Sequence, residues 1–259
     1  MNNPTCRLLS FKVYNAKNTN IKNYTDNKEF MIQMFAIDEE GKSYSIKVTD
    51  FQPFFYVRVA DTWGVTKKKK FISYVKMLLR QEELGRKYDD FKKGRKSFIN
   101  PKLEEDEEKE EYIYRNKQHY TSYYEDSIVG CKIIKRKKLY GFDGGKDHRF
   151  ILMKFRNTSA MYKVKNFWYD YVKDPTSLFG TKSILKPFRA LGVNTELYEA
   201  KLPPLLRYFH MKEISPSGWI ELPRKKIKEW EDTNTNCDYE IPIQIVIMSI
   251  QLVTAILYH

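Results

Sequence analysis

The strongest constraint on how this chain folds is the spacing of the short apolar runs between Leu8 and Val59. Leu8 to Tyr14 is one run, and Glu29 to Ile37 is a denser one. After the turn signal Asp38-Glu39-Glu40-Gly41, Tyr44, Ile46 and Val48 alternate with other residues, as one face of a strand requires. Phe51 to Val59 resumes with aromatics around Pro53. Proline withholds a ladder donor, so this run is expected at an edge or end of a sheet. Runs this short and this close predict a small antiparallel sheet or a partly closed barrel within residues 1–85.

A helix is expected next. Phe71, Tyr74, Val75, Leu78 and Glu82 keep helical spacing, and Gly85 stands where a carboxy-terminal cap belongs. Lys87 to Asn100 is charged, and the acidic block Glu104, Glu105, Asp106, Glu107, Glu108, Glu110 and Glu111 follows. The simplest reading of 86–120 is a solvated charged linker or insertion. A second β segment runs from Ile128 to Tyr140, turns at Asp143-Gly144-Gly145-Lys146 and returns through Phe150 to Phe155. Thr158 or Ser159 is the expected amino-terminal cap of a helix marked by Met161, Val164, Trp168 and Tyr171. Strands are expected at Ser183 to Phe188 and Glu196 to Tyr198. Pro203-Pro204 suits the first turn of a short helix through Leu205, Leu206 and Phe209. Ser215-Pro216-Ser217-Gly218 then turns into a strand, Trp219 to Leu222, with Trp219 expected in the core beside Phe209. Hairpin, helix and strand in this order predict a ferredoxin-like unit over 121–240, and the fold class is α+β.

Charge narrows the function. Lys and Arg number 46 against 33 Asp and Glu, a net charge of +13. Such a surplus favours polyanionic partners, nucleic acid before anionic membrane. A hydrophobic content of 42% supplies a core and excludes a disordered chain. Cys6, Cys131 and Cys237 are far apart, which argues against a disulfide framework or zinc knuckle. His119, His148, His210 and His259 are scattered without a metal-binding spacing, and no phosphate-cradling glycine loop occurs. Asp38/Glu40 and Asp106/Glu108 have the spacing of paired metal-binding carboxylates, but one pair lies in a turn and the other in the acidic block.

Three basic clusters carry more information. Lys67, Lys68, Lys69 and Lys70 open the expected helix, where the dipole is already positive and lysine opposes the local preference. Free backbone N–H groups there bind phosphate, and lysines reinforce this. Lys132, Lys135, Arg136, Lys137 and Lys138 form a second cluster; Arg224, Lys225, Lys226 and Lys228 form a third. Tyr74, Tyr140 and Phe142 lie nearby in sequence and are candidates for stacking on bases. The ordinary alternative for each cluster is a solubilising surface.

The passage from Leu197-Tyr198-Glu199-Ala200 through Pro203-Pro204-Leu205-Leu206-Arg207-Tyr208-Phe209 to Gly218-Trp219-Ile220-Glu221-Leu222-Pro223 resembles a known segment. It is similar to the stretch shortly before the exonuclease domain in delta-type family B DNA polymerases, above all those of large nucleocytoplasmic DNA viruses. Phe11 to Tyr14, Phe35 to Val59, Tyr140 to Phe155 and Met161 to Val164 fit the same family in order, so the likeness covers about residues 7–240. It implies an amino-terminal polymerase domain, part OB-like and part ferredoxin-like, touching template DNA and packing beside exonuclease and polymerase domains of the same or a split polymerase. Catalysis does not carry over, because neither the F-D-I-E strand of the exonuclease nor the palm aspartates occur here. Magnesium belongs to the full-length family; no cofactor is expected in this chain. The implied location is the host cytoplasm, in a viral factory, or the nucleus. The rival reading is a stand-alone module for single-stranded nucleic acid.

Ile241 to Tyr258 carries no charge. As a helix it would reach about 27 Å, short of the roughly 30 Å hydrocarbon core. Glu229, Glu231, Asp232, Asp238 and Glu240 precede it instead of an orienting basic cluster, which argues against a membrane anchor. A strand docking on the domain, or an aberrant end that can be removed without loss of fold, is expected instead.

Overall fold

A computed structural model describes residues 3–18, 27–49, 51–138, 143–168, 171–173, 181–183, 197–228, 243–248 and 254–255. The chain forms two units that interleave in sequence. One is built from residues 1–20, 28–53 and 201–259, the other from 21–27 and 54–200. The expected succession of 1–85 and 121–240 is therefore replaced by a first sheet that the chain leaves after Pro53 and rejoins at Lys201. The fold class is mixed α and β with antiparallel sheets, as read from the pattern.

In the first unit β1 (Thr5–Lys17), β2 (Lys28–Asp38) and β3 (Ser43–Val48) pair antiparallel in a meander. A bulge between Leu8 and Ser10 resets the alternation, so Leu8 and Phe11 both face the side that buries Ile32, Met34 and Ile46. An α-helix, Pro204–Lys212, begins with Pro203 as its cap and Pro204 in its first turn, as the Pro-Pro pair predicts. It places Phe209 edge-on to Phe11 at 5.0 Å and Tyr208 edge-on to Phe51 at 5.4 Å. A later strand, Trp219–Glu221, pairs with β1, and Ile227–Lys228, Ile243–Met248 and Thr254–Ala255 complete the sheet. The uncharged tail thus contributes a strand: Ile243–Met248 runs parallel to β3 along its whole length. Of the two expected alternatives this is the docking strand, and ending the chain at Glu240 would strip β3 of that neighbour. No helix among the described residues is long and apolar enough to cross a membrane.

Trp219 is only half-buried, whereas Ile220 on the opposite face of the strand is fully buried. The alternation of a strand has put the tryptophan on the face away from the core. Trp219→Ala should therefore cost about 1–2 kcal/mol, and Phe209→Ala, at a position 4% exposed, about 3–5 kcal/mol. Urea titration of the two variants checks the order; a Trp219 variant as damaged as the Phe209 variant would contradict it.

The second unit follows the order strand, two helices, two strands, helix, three strands. β4 (Phe54–Arg58) leads into α1 (Val65–Lys92), and α2 (Lys109–Asn116) precedes the hairpin of β5 (Ile128–Lys137) and β6 (Asp147–Phe155). Then come α3 (Thr158–Asn166), the short paired strands β7 (Tyr171–Lys173) and β8 (Thr181–Ser183), and β9 (Leu197–Tyr198). The sheet order is β5-β6-β4-β9 with antiparallel neighbours. The run expected at an edge, Phe54–Arg58, lies inside this sheet; Pro53 stands just before it, where its missing N–H costs no ladder bond. One face carries Phe55, Val57, Ile151 and Met153, and α1 and α3 cover it with Phe71, Val75, Met161 and Val164. The α3 cap is Asn157, one residue before the expected Thr158: its side chain accepts from the Ala160 N–H at 2.9 Å.

Residues 86–120 form structure rather than a linker. Gly85 does not end α1; it lies buried inside the helix, and a Cβ there would stand 3.3 Å from Lys109 Cε and 3.4 Å from Ile113 Cδ1. The glycine lets α2 approach. Leu84, Ile99 and Tyr112 form a separate small core against which Tyr88, Phe91, Leu103 and Tyr120 pack. Within the acidic block, Glu107 is buried and bidentate with Arg115, both bonds 2.7 Å. Glu108 and Glu111 form a capping box at the start of α2.

Candidate nucleic-acid interface

The first basic cluster opens α1. The cap residue Gly64 supplies no side-chain bond, and the first turn contains no acid. Three of the first backbone N–H groups are orphaned by helix geometry, and the dipole leaves positive potential there. Lys67, Lys69 and Lys70 are exposed, while Lys68 turns inward and donates to the Cys131 carbonyl on β5 at 3.4 Å. Burial raises the Cys131 thiol to about 11, against the smaller opposing pull of Lys68 and Lys76.

The turn before α1 is tied to β6. Arg149 donates through Nη1 to the Trp63 carbonyl at 2.6 Å, and its own carbonyl accepts from the Val59 N–H at 3.1 Å. Arg149 stands opposite Lys135 in the hairpin, and Asp147 opposite Lys137. Cys131, Ile133, Lys135 and Lys137 share the sheet face that α1 covers, so Lys135 and Lys137 project beyond the helix start on that side. Both are exposed. Arg149 thus ties the turn that precedes α1 to the hairpin position opposite Lys135.

It parts them from the remainder of their cluster. Arg136 faces the other side, where Nη1 donates to the Tyr56 hydroxyl at 2.5 Å and the guanidinium lies 5.2 Å from that ring. Lys138 is half-buried and 3.8 Å from Asp143. Arg224 and Lys225 are exposed in a single 3-10 turn, Arg224–Lys226, of the other unit; the Lys226 and Lys228 side chains lie outside the described set. Of the aromatics proposed for stacking, Tyr74 packs against the core, and Tyr140 and Phe142 lie outside the described residues.

Sequence reasoning missed the group at the hairpin mouth. Arg58 donates to His148 Nδ1 at 2.7 Å, which leaves Nε2–H to donate to Asp143. That bond, with Lys138 nearby, holds the Asp143 carboxyl below the usual carboxylate range. Only the alternation of β4 and β6 hinted at it, by placing Arg58 and His148 on one face. Beside them Phe54, Tyr56, Phe150 and Tyr198 make edge-to-face contacts of 5.1–6.3 Å and are all buried. They are core, not a stacking surface.

The carboxylate pairs are structural where described. Asp38 accepts from the Glu40 and Lys42 N–H groups and from the Tyr44 hydroxyl, and Asp106 sits in a turn at φ 58. Among the described residues no cluster of three or more His, Cys, Asp or Glu is placed to hold a metal.

No protein-family model matches the chain. It is 34% identical over 241 residues to a DNA polymerase of Phaeocystis pouchetii virus, covering 90% of this chain and 19% of that protein. A DNA polymerase of Acanthamoeba polyphaga mimivirus is 22% identical over 223 residues, 84% of this chain and 10% of its own length. The chain spans a fifth or less of these curated relatives. The family B DNA polymerase of Pyrobaculum calidifontis superposes over 94% of this chain and 20% of its own, with a TM-score of 0.47 and 13% identity.

Proposed function

With the chain a homologue of one segment of giant-virus family B DNA polymerases, we propose that it serves DNA replication by binding template DNA without sequence preference and bracing the catalytic domains. The reading assigns it no catalytic residue of its own. The observation that carries it is the uncapped, acid-free start of α1 with Lys67, Lys69 and Lys70 exposed, together with Lys135 and Lys137 exposed on the sheet face that this helix covers. Such a surface meets phosphates through point charges and backbone N–H groups, which position a strand but do not read bases. The β5-β6-β4-β9 sheet supports a ferredoxin-like reading of residues 54–200 in place of the expected 121–240, whose last strand, Trp219–Glu221, pairs with β1 instead. The OB-like reading falls to the meander of β1, β2 and β3.

The test is a salt titration of duplex binding by the full chain and by the variant with all five lysines replaced by Ala. If all five contact phosphate, the slope of log K against log[salt] should flatten by about 4.5 units. Affinity at low salt should fall by orders of magnitude. An unchanged slope and affinity would move the binding face away from α1 and β5.

A further inference from the structure

We infer that the tip of the α1–α2 protrusion contacts single-stranded nucleic acid, with Phe98 stacking on an unpaired base and Lys93, Arg95 and Lys96 on the adjoining phosphates. This rests on the DNA-binding reading above and assigns a second contact to it. Residues Lys92 to Phe98 are exposed without a break, and Phe98 is 71% exposed. The loop is nevertheless pinned at both ends. At the α1 end, the Lys93, Gly94 and Arg95 N–H groups donate to the carbonyls of Asp89, Phe91 and Asp90 at 3.1, 2.9 and 2.9 Å. Gly94 takes φ +67, which turns the chain out of the helix. On the other side Ile99 is buried against Leu84 and Tyr112, and Lys87 Nζ donates to the Asn100 carbonyl at 2.8 Å. A large apolar ring is therefore held out in water by a fixed frame, with exposed Lys93 and Lys96 near it in sequence and Arg95 3.4 Å from Asp90.

The same protrusion carries a built-in control. Tyr114 is 73% exposed, yet Lys117 Nζ lies 4.1 Å over its ring, and the open cleft beside it is lined by six carboxylates and one cation, Arg115. Carboxylates outnumber cations there and one face of the ring is already covered, so a phosphate chain with an unpaired base is disfavoured at Tyr114 relative to Phe98. Stacking also selects the form of the nucleic acid, because a base offers its π-face only when it is not sandwiched in a duplex. The Lys93 and Lys96 charges act on any polyanion; Phe98 acts on unpaired bases alone.

The full chain is titrated with an oligothymidylate, with an abasic strand of equal length and with a duplex. Phe98→Ala should weaken oligothymidylate binding about tenfold and leave the abasic strand and duplex unchanged. Phe98→Trp should restore it, and Tyr114→Ala should leave all three probes unaffected. Lys93→Ala with Lys96→Ala should flatten the single-strand salt slope by about 1.4 units. Equal binding of oligothymidylate by Phe98→Ala and the parent overturns the proposal, as does an equal loss on the abasic strand. So does a Phe98-dependent attachment to phosphatidylserine vesicles with oligothymidylate binding intact. A full chain that binds none of the three nucleic-acid probes overturns the DNA-binding reading and this contact together; failure at Phe98 alone leaves that reading standing.

Discussion

Arg80→Ala should destabilise the second unit by about 3–5 kcal/mol. Arg80 approaches Glu125 with two bonds, from Nε at 2.6 Å and from Nη2 at 2.9 Å, and Glu125 is 3% exposed. Nη1 also donates to the Lys117 and Gln118 carbonyls at 3.3 and 3.0 Å. One turn along α1, Glu83 accepts from the Tyr120 hydroxyl, the Ser122 hydroxyl and the Tyr123 N–H at 2.7, 2.9 and 2.8 Å. The segment returning from the protrusion to β5 is thus held against α1 by polar groups more than by apolar packing. Truncating Arg80 leaves the buried Glu125 carboxylate without its cation, with the Ser122 N–H at 2.8 Å still donating to it, which is why the expected loss exceeds that of a surface ion pair. Arg80→Met combined with Glu125→Leu should recover most of it, because it removes the buried charge instead of orphaning it. Urea denaturation of the single and double variants reads both. A single variant within about 1 kcal/mol of the parent would show that water already solvates Glu125.

The contrast between what the sequence revealed and what it hid has a physical cause. Strands and turns announced themselves where one face is wet: β2 and β3 alternate, and Pro203-Pro204 marks a helix start by local sterics alone. Interleaving was hidden, because which sheet a strand joins depends on partners far along the chain. Leu197–Tyr198 pairs with β4, while Trp219–Glu221, barely twenty residues on, pairs with β1. The protrusion was hidden for a different reason. Charge density over 87–111 masks a core of few residues, and Glu107 reads as a solvated acid until Arg115 is folded against it. Gly85 misled because the same residue serves a cap and a close helix approach, and only the neighbour at Lys109 and Ile113 tells them apart. For the candidate interface, clustering in sequence located the cations. Strand alternation then divided them, leaving Lys135 and Lys137 with α1 and turning Arg136 to Tyr56.

Tyr112→Ala should unfold the protrusion while leaving the sheet of the second unit in place. Tyr112 is fully buried, its ring lies 5.8 Å from that of Tyr88, and its hydroxyl donates to the Pro101 carbonyl at 2.9 Å. Few other buried side chains share that core, so the lost ring leaves a cavity that cannot be filled, at a cost of about 3–5 kcal/mol. Tyr112→Phe should cost only about 1–2 kcal/mol, from the hydroxyl bond and the carbonyl it satisfies. Acid should act on the same element. Arg115 beside Glu107 holds that carboxyl below the usual carboxylate range. A depressed folded value means that its contribution is full above the ordinary carboxylate range and fades as pH falls through the folded value. Hydrogen exchange locates both effects: amides of 85–120 should lose protection in Tyr112→Ala, and in the parent on acidification, before those of β4 and β6. Simultaneous loss in both places would mean that the protrusion and sheet unfold as one unit. Because Ile99 anchors the loop through contact with Tyr112, the Tyr112→Ala chain should also bind oligothymidylate no better than Phe98→Ala. Its duplex binding through Lys67, Lys69 and Lys70 should persist, since those lysines are placed by the large core around Phe71 and not by the small one.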